Sequence, residues 1–276
     1  MKTKLTKLAV GVALGLGISV SANAAFISYW FDPTGATNGT TDAVFIGEFL
    51  DFTGAVYAEN TYTGATTFDL EQFGFTEVTG NDSSVVASFI TNGIVASFSG
   101  SGTGDLGTAS TSFDDGTINV FAGGFAGTQI ASFNIIGGGA QIVGTSGAPN
   151  GASGLDGLAT SFAPNYFFFD NGGTVGADFS TVDLTQDFIF GFATSNLSLT
   201  TAQTAINAQK NKLQQAFPGE TFSSGNVVDG FGRLTNLYSG GNGQFRLTQI
   251  PEPATLTLLG LGLLGIGATA RRRAKS

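Results

Sequence analysis

The chain has 276 residues, a formal net charge of −9, no cysteine and no histidine, and it carries 42 glycines and 26 phenylalanines against one tryptophan. The two absent residue types exclude disulfides, the usual zinc, copper and haem ligands, thiol redox chemistry, and Ser-His or Cys-His nucleophile pairs. The acidic balance excludes nucleic acid as a partner, because binding a phosphate backbone requires a basic face.

In chain order, Lys2, Lys4 and Lys7 precede an apolar run from Leu8 to Val20, which ends at Ala22-Asn23-Ala24. A basic start, a short apolar segment and a small-x-small site predict a secretory signal peptide over residues 1–24, cut by signal peptidase between Ala24 and Ala25. Three of the 11 basic residues fall in that leader and four in the tail. The remainder, Lys210, Lys212, Arg233 and Arg246, stands against 19 of the 20 acids, so the exported body (residues 25–249) carries a formal charge of −15. Such a body attracts cations and repels anionic lipid.

Runs rich in Phe, Val, Ile and Thr predict strands over Phe26–Phe31, Ala43–Leu50, Ser84–Thr91, Ile94–Ser99, Gln129–Ile136, Tyr166–Asp170 and Gln186–Ala193. Between them, Asn38-Gly39, Asn92-Gly93, Asp115-Gly116, Asn150-Gly151, Asp156-Gly157 and Asn171-Gly172 supply the residues that accept positive φ in tight turns. The clearest β-hairpin is predicted over Val85–Phe98, turning at Asn92-Gly93. The glycine-rich pieces 100–107 and 137–157 are predicted as loops. Many turns and few charges predict a mainly β domain, an antiparallel β-sandwich or jelly-roll-like body.

One amphipathic helix interrupts it. Thr200–Phe217 places Ala202, Ala205, Ile206, Leu213, Ala216 and Phe217 near one stripe, with Thr at its opening, Lys210 and Lys212 toward its end, and Pro218-Gly219 as the stop. Strand-like pieces follow at Thr221–Val228, Phe231–Tyr238 and Gln244–Ile250.

Candidate chemistry in the body is sparse. Gly102-Thr103-Gly104-Asp105-Leu106-Gly107 fits a G-x-G-x-x-G pattern, but no helix-forming segment follows, so it reads as a loop and not as a dinucleotide site. Asp114-Asp115-Gly116 and Asp170-Asn171-Gly172 offer oxygen ligands for a structural Ca²⁺, and turn chemistry accounts for the same residues. No cofactor is expected beyond that ion. Paired carboxylates, as in a glycosidase, remain open in principle, with no pair identifiable. Tyr166-Phe167-Phe168-Phe169 reads as a strand buried on both faces, since Phe lacks a polar handle.

The tail, residues 250–276, carries three units in order: Pro251-Glu252-Pro253, an uncharged apolar run from Ala254 to Ala270, and Arg271-Arg272-Arg273. At about 1.5 Å per residue the run predicts a transmembrane helix of roughly 25 Å, just short of a bilayer core. The arginines hold its end in the cytoplasm and leave everything before Pro251 outside.

This order of parts resembles the PEP-CTERM sorting signal, and it matches that signal at Pro251, Glu252, Pro253, the Leu/Gly-rich span and Arg271, Arg272 and Arg273. The resemblance implies that exosortase, a membrane-embedded transpeptidase, cuts near Pro-Glu-Pro. The body would be anchored transiently in the inner membrane, then placed at the cell surface or in the matrix. The region Tyr166–Leu197 also looks like the flocculation-associated branch of these proteins. The expected function is a non-enzymatic, structural or adhesive role in exopolysaccharide, biofilm or flocs. The alternatives are a surface carbohydrate-binding module and, last, a secreted glycosidase.

Overall fold

The computed structural model describes residues 25–36, 42–82, 84–145, 148–181 and 188–249. They form strands β1 (Ala25–Phe26), β2 (Tyr29–Phe31), β3 (Val44–Ile46), β4 (Leu50–Tyr62), β5 (Thr67–Asn81), β6 (Ser84–Val85), β7 (Val95–Asp105) and β8 (Ser110–Ala122). These are followed by β9 (Thr128–Thr145), β10 (Ala148–Phe162), β11 (Phe167–Asp170), β12 (Val175–Asp178), β13 (Phe188–Leu199), β14 (Val227–Val228) and β15 (Leu234–Gln249). Two helices, α1 (Ala87–Thr91) and α2 (Gln203–Ala216), interrupt the strands.

Strands β4, β5, β7, β8, β9, β10, β13 and β15 pair antiparallel in that order, and β15 returns to β4 through a register running from Asn236↔Glu59 to Phe245↔Leu50. The body is therefore a closed up-and-down barrel, which corrects the expected sandwich or jelly roll. Closure leaves no long unpaired edge in the wall, a problem that two stacked sheets would have to manage by other means. A four-stranded sheet in the order β12-β11-β2-β3 packs Tyr29, Phe31, Ile46 and Phe167 onto the same apolar cluster that fills the barrel.

Period-two alternation decides which way each side chain faces. On β4 and β5, Phe52, Val56, Ala58, Phe68, Leu70 and Val78 enter the interior, while Ala55, Tyr57, Phe73 and Phe75 form a second cluster with Ile206 and Leu213 of α2. Inside, rings stack from Phe52 to Phe245 (4.2 Å), on to Phe190 (4.7 Å) and on to Phe133 (4.5 Å). The series continues through Phe162 to Phe167 of the smaller sheet. Phenylalanine is abundant because it is the filling. Membrane-spanning barrels put apolar side chains outside and polar ones within; here Phe lines the inside, and Asp69, Glu71, Ser101, Thr103 and Asp115 are exposed on the outside. Among the described residues no helix is long and apolar enough to cross a membrane.

The glycine-rich pieces are wall, not loop: most of 100–107 belongs to β7, and 137–157 is covered almost entirely by β9 and β10. Glycine is required there by its neighbours. A Cβ on Gly74 would lie 2.0 Å from the Phe98 ring, and one on Gly104 would lie 2.1 Å from the Phe68 ring. Each pair sits directly opposite in register, so a bare backbone seats a cross-strand ring.

The Asn-Gly and Asp-Gly pairs also behave differently from expectation. Asn171-Gly172 does turn the chain between β11 and β12, with Gly172 at φ +64. Asp115-Gly116, Asn150-Gly151 and Asp156-Gly157 lie inside strands, and the ladder shifts register between Asp156 and Gly157. Asn38-Gly39 falls outside the described residues. Asn92-Gly93 ends a helix, which overturns the predicted hairpin at Val85–Phe98. The Ile94 N–H bonds the Phe89 carbonyl (3.0 Å), the Gly93 N–H bonds the Ile90 carbonyl (3.1 Å), and Gly93 takes φ +57. That is a Schellman ending, with its usual apolar contact made by the buried Phe89 and Ile94.

Helix α2 forms within the predicted span, but Ala202 precedes it without a side-chain cap. The Thr200 hydroxyl instead accepts the amide of Gln209 (2.9 Å). The buried strand expected at Tyr166–Phe169 is present in part: Phe167 and Phe168 are buried in β11, whereas Phe169 is half-buried and Tyr166 lies in the turn before the strand.

Inside the barrel the packing leaves a cavity of about 30 Å³, lined by Phe52, Gly54, Gln72, Thr76, Phe98 and Leu155 among others. Thr76 is 3% exposed and its hydroxyl has no protein hydrogen-bond partner. Thr76→Val keeps the shape and deletes the polar atom, so a thermal melt is expected to show unchanged or slightly raised stability, by up to about 1 kcal/mol.

Candidate functional site

Several of the body's acids serve its turns. Asp82, between β5 and β6, accepts the N–H groups of Gly47 (2.9 Å), Glu48 (2.8 Å) and Phe49 (3.1 Å). Asp170 accepts the indole of Trp30 (3.1 Å) and the N–H of Gly173 (2.9 Å), and Asp178 accepts the N–H groups of Asn165 and Ser180. The Asp170-Asn171-Gly172 segment is thus held by turn chemistry. Among the described residues no group of three or more Asp or Glu converges as a metal site would require.

A polar bolt fastens the segment around α2 to the barrel. The Tyr57 hydroxyl donates to Glu59 Oε1 (2.7 Å) and accepts from Asn236 Nδ2 (2.7 Å), and the Tyr238 hydroxyl donates to the Ser223 carbonyl (2.6 Å). Burial, seconded by the neighbouring Tyr57, pushes the Tyr238 phenol up to about 12, and burial also raises Tyr57. A raised phenol pKa means that the folded state holds the proton more tightly than the unfolded one. Its stabilisation is complete below pH 10 and is lost as pH rises from 10 toward 12. A melting series across pH 8–12 should therefore show Tm level at first and falling above 10, with a shallower fall in Tyr238→Phe.

Beside α2 an open groove of about 620 Å³ runs between β5, the end of α1 and the loop after β8. Its walls include Glu77, Asn92, Phe125, Tyr166, Lys212 and Gln215, and Lys212 is ion-paired with Glu77 across it. Both charged side chains are 43% exposed, so the pair adds little stability. The sequence reading placed Lys212 as helix support and gave no sign of the groove, whose residues come from distant parts of the chain.

Of the residues singled out for processing, Ala22 and Ala24 of the signal-peptide site and Pro251, Glu252, Pro253, Arg271, Arg272 and Arg273 of the sorting signal lie outside the described residues. Ala25 opens β1. The described chain nevertheless reaches the edge of that signal. β15 runs to Gln249, which pairs with Phe188 of β13, and on its other side β1 pairs with β15, followed by a bond from the Ile27 N–H to the Leu247 carbonyl (3.1 Å).

Residues 249–273 match the PEP-CTERM protein-sorting motif. The match covers the tail alone and does not extend to Tyr166–Leu197, where the flocculation-associated resemblance was placed. No curated protein and no solved structure matches the chain. The motif implies an exported protein that is membrane-anchored before exosortase processes it and that stands at the cell surface afterwards.

Proposed function

We propose that this protein is a non-enzymatic structural or adhesive component of the extracellular matrix, delivered by its sorting tail and acting through the outer surface of its barrel in exopolysaccharide, biofilm or flocs. The observation that carries this reading is the filled interior. Stacked Phe rings leave a cavity of about 30 Å³, room for about one water and not for a substrate. What remains for function is the exterior, where Asp69, Glu71 and Asp115 stand exposed on the wall. The deciding experiment deletes the gene in its host and measures the cohesion of biofilm or flocs, alongside the intact mass of the surface form. Unchanged cohesion would sink the matrix role, and a surface form still carrying Arg271–Arg273 would sink the sorting. A secreted glycosidase has the weakest support: the chain has no His or Cys, and the facing pair Glu59 and Glu71, opposite each other on β4 and β5, has Glu59 already bonded to Tyr57 and Asn236.

The groove beside α2 favours one second reading, a carbohydrate-binding module. Tyr166 and Phe125 supply aromatic surface there, and Asn92 and Gln215 supply amides. That reading requires retention on the host's own polysaccharide, and requires Tyr166→Ala to abolish it.

A further inference from the structure

The sorting motif begins inside the barrel wall. Its match starts at Gln249, which is also the last residue of β15, so only Ile250 separates the final paired residue from Pro251. From Gln249 to Pro251 the chain spans at most about 7 Å, at 3.3–3.6 Å per residue. An enzyme that encloses a peptide bond must place some of its own structure on the N-terminal side of that bond, and even one helix with its side chains is about 10 Å across. The gap is too small. Thr248 and Gln249 cannot enter a cleft while they are paired with β13, next to a Leu247 whose carbonyl is held from the other side by the Ile27 N–H.

We propose that the end of β15 is a gate on the sorting reaction: exosortase gains its N-terminal footing only when Thr248 and Gln249 leave the wall, and Leu247 is where that opening stops. This rests on the reading of the tail as an exosortase substrate. The grip is graded along the strand. Gln249 and Thr248 are held by ladder pairing to Phe188 and Ile189, with one further bond from the Thr248 hydroxyl to the Ile189 carbonyl (3.3 Å). Leu247 is 2% exposed, Phe245 is 1% exposed, and both belong to the interior cluster. Strand ends fray at low cost, whereas withdrawing a core Leu opens the barrel itself. The reaction breaks one amide, and its acyl carbon passes to water or to an amine while the released tail keeps the amino group. The gate sets how often that amide is presented and leaves the chemistry as it is.

The test is made on the full-length precursor in a host that carries exosortase. Eight Gly/Ser residues are inserted between Ile250 and Pro251, and an equal insertion in the β4–β5 turn at residues 63–66 serves as control. Pulse-chase with intact-mass readout is expected to show the spacer form losing Arg271–Arg273 about tenfold faster than wild type, with the control unchanged. The mature wild-type form is expected to end beyond Leu247, and exchange on purified precursor is expected to show less protection for the Thr248 amide than for the Leu247 amide. Equal conversion rates for wild type and spacer form, or a mature end before Leu247, would overturn the gate while leaving the sorting reading intact. Precursors that all keep their arginines would overturn the sorting reading, and the gate with it.

Discussion

Gly54→Ala is expected to prevent the barrel from closing. Gly54 lies on β4 opposite Thr76 of β5 on one side and Gly241 of β15 on the other, at the seam where the last wall strand meets the first. An added Cβ would stand 2.2 Å from the Phe75 carbonyl oxygen and 3.0 Å from Thr76 Cα. Both are backbone atoms of a paired strand, so relief would break ladder bonds, where a flexible side chain would only have to rotate. The partner is constrained in the same way, since a Cβ on Gly241 would lie 1.8 Å from the Asn196 carbonyl. Overpacking commonly costs about 1–3 kcal/mol, and a backbone clash at the seam belongs at or beyond the top of that range. Circular dichroism and a thermal melt of residues 25–249 should show a lost or strongly lowered transition. Gly219→Ala, where the added Cβ meets nothing within 4 Å, should melt like the parent.

Phe245→Ala should cost about 3–5 kcal/mol, the usual loss for a large buried aromatic. Phe245 is 1% exposed and lies between Phe52 and Phe190 in the stacked rings, so its removal breaks the stack and uncovers one face of each neighbour. For a domain of this size each kcal/mol shifts Tm by about 2–4 °C, which places the expected fall at roughly 6–20 °C. Phe231→Ala is the comparison: Phe231 is 86% exposed, and its loss should move stability by no more than about 0.5 kcal/mol. Equal effects at the two positions would contradict the packing described for the interior.

What could be read from the chain alone were the segments whose composition carries its own signal. The Phe-rich β11, the stripe of Ile206 and Leu213 on α2, and the mainly β character are of that kind. β4, β5, β8 and β10 were not among the predicted strands: in β4 and β5 the Phe, Val, Tyr and Thr are interleaved with Asp, Glu, Asn and Gly, and β10 has little strand composition at all. β10 reads Ala148-Pro149-Asn150-Gly151-Ala152-Ser153-Gly154, and such a segment is extended only because β9 and β13 pair with it on both sides. Tertiary pairing outweighed propensity there, as it often does in sheets. Asn92-Gly93 misled for a related reason: the positive φ that suits a hairpin turn suits a helix end equally, and the buried Phe89 and Ile94 decided between them. Barrel closure was invisible, because nothing local marks β15 as the partner of β4. The sorting tail was legible as sequence, since its parts act through order and charge.

The seam between β4 and β15 also bears on when folding can finish. Asn236 pairs with Glu59, so the last wall contacts join segments far apart in sequence. Such topologies fold slowly, because a large loop must be closed before any contact rewards it. The wall therefore stays open until the final strand has emerged from the export channel. Until then its phenylalanines are exposed to whatever escort meets an unfinished chain.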